Sequence, residues 1–128
     1  MRINKIHHVA IICSDYGRSK TFYTEVLGFI VKAEHFRAER NSWKTDLVLN
    51  GEYIIELFSY ENPPKRPTEP EACGLRHLAF ETDHVEEVYI ELTTKKIRCE
   101  PIRIDEFTKK RFFFTFDPDH LPVEFYEK

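Results

Sequence analysis

The sequence predicts an α+β chain made of two tandem βαβββ modules. Three observations predict it: a strand, an amphipathic helix and three further β-rich stretches occur in that order twice; a proline-rich break separates the two sets; and one His and one Glu recur at nearly the same separation in each half. From His8 to Glu56 is 48 positions and from His77 to Glu124 is 47. A repeat of this kind points to a duplicated module that cannot bury its sheet alone.

Residues 6–13 (IHHVAIIC) read as a buried strand. Ser14 or Asp15 then serves as an N-cap for a helix whose apolar positions Tyr16, Phe22, Tyr23, Val26 and Leu27 recur at helical spacing, and Gly28 closes it. β-rich stretches follow near 29–37, 44–50 and 53–60. The last two are joined by Asn50-Gly51, the dipeptide that best supplies the positive φ angles of a two-residue hairpin turn. Segment 61–74 (ENPPKRPTEPEACG) holds four of the seven prolines and can continue neither a helix nor a ladder, so it reads as a linker between modules 1–60 and 75–128 of a single 128-residue domain. After it the order repeats. A strand is expected at 76–82 (RHLAFET), then a helix capped by Asp83 with Glu86 as its capping-box partner, then β-rich stretches near 97–104, 111–117 and 121–127.

Composition narrows the partners. A chain of 128 residues, 41% hydrophobic with only 4 Gly, can build an ordinary core, and a net charge of -3 offers no general attraction to phosphate backbones or anionic lipid. Nucleic acid is therefore not an expected partner. The longest unbroken apolar run, Val9 to Cys13, falls far short of the roughly 20 residues that span a bilayer, and no apolar signal stretch opens the sequence. No membrane association and a cytoplasmic location are expected. Cys13, Cys73 and Cys99 are odd in number and widely spaced, so three free thiols are expected, with Cys13 a small buried hydrophobe.

The chemistry concentrates in the repeated pair. Side chains alternate along a strand, so His8 shares a face with Ala10 and Ile12, while Glu56 parts company with Ile55 and Leu57; His77 and Glu124 follow the same pattern. A carboxylate in such an apolar row must be protonated, paired or bound to a cation. Two imidazoles and two carboxylates at repeat-equivalent positions supply an N₂O₂ set suited to one divalent Zn, Ni, Co, Mn or Fe ion, and the absence of thiolate favours an open site completed by solvent or substrate oxygens. By the same alternation His7 faces away from this cluster. His35, His84 and His120 fall in or near loops, and all four read as surface residues.

The segments HHVAIICSDYGRSKTFYTEVLGF, LRHLAFETD and DPDHLPVEFYE, set in duplicated βαβββ modules, resemble the vicinal oxygen chelate superfamily over essentially the whole chain. Within it the set His8, Glu56, His77 and Glu124 resembles the glyoxalase I (lactoylglutathione lyase) branch, since related epimerases usually carry Gln at the second position. The resemblance implies half-barrel sheets around a metal, a homodimer that builds each site from modules of two subunits, and a lyase or isomerase reaction on a small-molecule hemithioacetal. There a carboxylate, Glu124 foremost with Glu56 as its partner, acts as base and an enediolate forms. Epimerisation, ring cleavage and simple small-molecule binding by the same fold stand as alternatives.

Departures from that branch are specific. Where glutathione-using bacterial glyoxalases place Arg and Asn, this chain has Ile12 and Tyr60, and the usual Gly of the DPDG turn is His120. Lys109, Lys110 and Arg111 could clamp a substrate carboxylate or simply form a solvated hairpin tip. Arg37, Trp43 and Lys44 could line the cavity mouth.

Overall fold

The computed structural model describes residues 1–128 and contains two four-stranded sheets with the same strand order. In the first, β1 (Val9–Cys13) lies at one edge, followed by β4 (Glu52–Ser59), β3 (Ser42–Leu49) and β2 (Ile30–Arg37). In the second, β5 (Leu78–Thr82), β8 (Pro122–Glu127), β7 (Arg111–Phe116) and β6 (Arg103–Ile104) repeat that order. Each sheet opens with a parallel pair and continues antiparallel. The duplicated α+β architecture expected from the sequence is present. The chain divides into two compact units, Met1–Pro64 and Lys65–Lys128, and no helix is long and apolar enough to cross a membrane.

In the first unit, alternation along β1 buries Ile11 and Cys13 and leaves Ile12 56% exposed. The Asp15 carboxylate accepts the Arg18 amide at 3.0 Å and so starts α1 (Tyr16–Thr21). The helix then widens into a π-helical turn over Phe22–Val26, with the Leu27 amide donating to the Phe22 carbonyl at 3.0 Å. That widening lets two consecutive aromatics, Phe22 and Tyr23, both turn into the core. Asn50 and Gly51 take φ of 51° and 80°, the positive angles that a two-residue hairpin requires, and Leu49 pairs with Glu52 across the turn.

The second unit corrects two expectations. α2 (Val85–Thr94) is not opened by an Asp83–Glu86 capping box: His84 occupies the N-cap without a side-chain bond, the Glu86 carboxylate is taken by Arg111, and Asp83 faces Lys128 at 3.8 Å. An ion pair from a neighbouring strand outcompetes the local cap. The stretch near 97–104 forms only β6 and a single bridge from Cys99 to Thr115, because Pro101 brings no amide to a ladder.

Arg111 also organises the end of β8. Its guanidinium and backbone amide both donate to Glu127, the amide at 2.8 Å, and these bonds hold the Glu127 carboxyl down at about 2. A carboxyl depressed by folding contributes stability that is present above its ordinary value of 4.5 and is lost as pH falls through about 2. Glu127→Gln is therefore expected to lower the melting temperature at pH 6, with the gap from the wild type closing between pH 4.5 and 2. Parallel acid limbs in thermal melts of the two proteins would refute this.

Candidate functional site

The parallel pairing of β1 with β4 sets Ala10 opposite Glu56, and the antiparallel partner β3 sets Asp46 on the other side. Ile55 and Leu57, fully buried, point into the core, so Glu56 must point to the opposite face. His8, one residue ahead of β1, brings its Nε2 to 3.7 Å from Glu56 Oε1, with the two side chains 33% and 16% exposed. In the second unit the register is the same. Ala79 lies opposite Glu124, Phe114 flanks it, and His77 Nε2 lies 3.2 Å from Glu124 Oε2. The His77 ring meets Phe114 edge to face at 5.2 Å.

These separations fit a divalent ion. Two donors each about 2.0–2.2 Å from one cation, at octahedral to tetrahedral angles, stand roughly 2.9–3.6 Å apart, and both His–Glu pairs lie at or near that spacing. Each unit carries one such pair. Neither gathers three or more metal-capable side chains into a liganding group of its own.

Glu56 has neighbours that Glu124 lacks. Lys44 Nζ lies 2.9 Å from Asp46 Oδ1 and 3.2 Å from Glu56 Oε2, and the Tyr53 hydroxyl stands 3.0 Å from each of the same two oxygens. Tyr53 shares this face because the β3–β4 register shifts between Leu47 and Val48, so that Leu47 pairs with Ile55 but Val48 with Tyr53. Ile54 is bulged out, and the alternation reverses across it. Burial resists charge on Asp46, yet the bonds from Lys44 and Tyr53 outweigh it and hold the Asp46 carboxyl below its ordinary range. Lys44 is raised, chiefly by its bond to Asp46, and the Tyr53 phenol is raised by burial and by its two carboxylate neighbours.

His7, His35, His84 and His120 are exposed, as expected of surface residues. The expectation that His7 turns away fails, however: its Nδ1 lies 2.8 Å from His8 Nδ1 and its ring packs against those of His8 and Tyr53. Strand alternation does not govern it, because regular β1 begins only at Val9. A proton carried on His8 Nδ1 and donated to His7 leaves the His8 Nε2 lone pair directed toward Glu56.

A family model described as the Glyoxalase/Bleomycin resistance protein/Dioxygenase superfamily matches residues 5–125. The chain belongs to this superfamily. It is 57% identical to Uncharacterized protein YwkD of Bacillus subtilis (strain 168) over 128 residues, covering 100% of both chains. It is 52% identical to Uncharacterized protein YaeR of Escherichia coli (strain K12) over 126 residues, covering 98% of each. A glyoxalase family protein from Enterococcus faecalis, solved by crystallography, superposes with a TM-score of 0.92 at 49% identity, covering 99% of this chain and 100% of that one. The superfamily includes many enzymes, and its members typically bind a divalent metal.

The remaining candidates fall into place around that superfamily frame. Ile12 presents an exposed apolar side chain. Tyr60 accepts a 3.4 Å bond from Arg37, which lowers its phenol, and Arg37 itself lies 4.8 Å over the Phe58 ring and donates to Ser42 at 2.8 Å. Trp43 stacks on Tyr16 at 5.0 Å and is a packing residue, whereas Lys44 belongs to the Glu56 cluster. Arg111 is committed to Glu86 and Glu127 and is not free to clamp a substrate. His120 takes a φ of 65° in a turn held by the Asp117 carboxylate, which accepts the Asp119 and Leu121 amides at 2.9 Å each, so the turn keeps its form without Gly. A shallow cleft of about 330 Å³, lined by Ser14, Tyr16, Asn41, Tyr60 and Glu61, lies at the opposite end of β1 and β4 from His8.

Proposed function

We propose that the chain is a metal-dependent glyoxalase I-like enzyme, an isomerase or lyase, in which His8, Glu56, His77 and Glu124 hold one divalent ion. The observation that carries this reading is the same His–Glu pair at the same register in both sheets, each pair spaced to share a cation. The two pairs are proposed to meet in one site when modules pair between the two subunits of a homodimer. The open sheet face that carries Ala10 and the exposed Ile12 gives such pairing an apolar surface to cover. Three free cysteines suit the reducing cytoplasm.

A divalent ion bound there would act as a Lewis acid on two neighbouring oxygens of the substrate. The chain's own groups do the rest. Glu124, whose one ion-pair partner is His77, takes a proton from the carbon beside the carbonyl and returns it to the adjacent carbon. Glu56, engaged by Lys44 and Tyr53, stays a ligand. Ile12 and Tyr60 stand where the resemblance implies glutathione contacts, which weakens the case for glutathione, and the substrate is a hemithioacetal or a related small vicinal-oxygen compound.

Three outcomes are expected. Elemental analysis and titration should find about one divalent ion per chain, and His77→Ala should abolish or greatly weaken binding, while chelation should lower the melting temperature. Tight binding retained by His77→Ala would remove that ligand. Glu124→Gln should keep most of the metal but cut turnover by at least about a hundredfold, with solvent deuterium exchange into the substrate falling in parallel. Full activity in that variant would reject the mechanism, and a wild type that exchanges no proton with any α-oxo or hemithioacetal compound would favour simple binding. Sedimentation at micromolar concentration should show a dimer, and monomer alone would exclude a site shared between subunits.

A further inference from the structure

We infer that Tyr53, Lys44 and Asp46 are positioning residues that fix Glu56 as a one-oxygen ligand, an inference that rests on the proposed metal-binding reading. The two oxygens of Glu56 face different surroundings. Oε2 lies 3.0 Å from the Tyr53 hydroxyl and 3.2 Å from Lys44 Nζ, while Oε1 faces His8 Nε2 at 3.7 Å. Asp46 Oδ1 closes the ring, 2.9 Å from the same ammonium and 3.0 Å from the same hydroxyl.

The ring has a definite logic. Tyr53 has one proton and two carboxylate acceptors, so Lys44, with three donors, must serve whichever carboxylate the phenol does not. Asp46 supplies a second negative charge that keeps Lys44 in place when the charge of Glu56 is shared with a bound cation. Without Asp46, the ammonium next to a liganding carboxylate would be driven off by the like charge of the metal. Oε2 therefore always has one donor, Lys44 or Tyr53, so that only Oε1 is left to meet a metal beside His8 and bidentate ligation by Glu56 is blocked.

The second unit has no such device. At the register positions matching Asp46, Lys44 and Tyr53 it carries Phe114, Phe112 and Pro122, and β7–β8 pairing runs without a register shift. The Ile54 bulge that turns Tyr53 onto the face of Glu56 therefore belongs to one module only. Glu124 has no such tether, whereas Glu56 cannot turn its carboxylate without breaking the ring.

The test is Co(II) binding to wild type and to Tyr53→Phe, read both by calorimetry and by the visible ligand-field absorption. Tyr53→Phe removes one hydroxyl and no charge. Metal affinity is expected to fall about tenfold or more, the lower end of what loss of an outer-shell partner costs, and the cobalt band should shift and lose intensity as Lys44, left to serve both carboxylates, holds Oε2 less firmly and lets it approach the metal. A purely structural contribution of Tyr53 would change the melting temperature but not the band. Asp46→Asn, which alters charge as well, is read by its band alone and should show the same displacement; it decides the matter if Tyr53→Phe does not fold. Wild type that binds cobalt with both variants giving superimposable bands would overturn this inference and leave the metal site standing. Wild type that binds no cobalt would overturn the functional reading itself, and this inference with it.

Discussion

The register of one parallel strand pair in each sheet, Ala10 against Glu56 and Ala79 against Glu124, is the constraint on which the arrangement depends. It is enforced from the core side. Ile55, Leu57 and Val123 are fully buried, and the side chains between them must face the other way. A slip of one residue would drive a carboxylate into the core, at a cost of several kcal/mol, and expose the aliphatic side chains that now fill it. The core thus fixes the direction of both glutamates without touching their charged ends. A His two residues before each Ala then falls beside the carboxylate as a consequence of pairing, with no further adjustment of the backbone.

The two sheets share that register and differ in what surrounds it. Around Glu124 the neighbours are aromatic, with Phe114 beside it on β7 and His77 packed edge to face on that same ring. Around Glu56 they are charged or hydroxylated, with Lys44 and Tyr53 each within hydrogen-bonding distance of both Asp46 and Glu56. Aromatic walls desolvate a carboxylate without bonding to it, whereas an ammonium and a phenol both desolvate and bond. One duplicated scaffold therefore holds two carboxylates of the same type in opposite mechanical states.

The parts of this arrangement that follow strand and turn periodicity were legible before any coordinates. Alternation in VAIIC and in IIELF identified the faces of β1 and β4, Asn50-Gly51 marked the hairpin, and the near-equal spacing of His and Glu exposed the duplication. What escaped depends on departures from periodicity or on distant partners. Tyr53 lies three positions from Glu56, an odd number that alternation assigns to the opposite face, and only the Ile54 bulge reverses it; no Gly marks the bulge in the sequence. His7 escaped for a related reason, since it precedes the regular strand. The Asp83–Glu86 cap looked sound locally, but Arg111, 25 residues beyond Glu86, claims the carboxylate. Asp46 carries no signal of its own, and its importance comes entirely from lying opposite Glu56.

The difference between the two carboxylates bears on how a duplicated site acquires direction. Two equivalent ligating glutamates could each leave the cation and act as base, and a substrate with two neighbouring oxygens would then meet two competing proton acceptors. Tethering one of them removes that ambiguity. In this chain the tether is built from a single bulged residue and three side chains on two adjacent strands, and the opposite module keeps apolar residues at the corresponding positions. A carboxylate whose second oxygen is held by Lys44 and Tyr53 loses the freedom to turn or leave, because those donors fix its orientation. Glu124, paired with His77 alone, has no such tether. On the proposed reading, the asymmetry that general-base chemistry requires would come from Lys44, Tyr53 and Asp46, since the His–Glu pairs themselves repeat in both sheets.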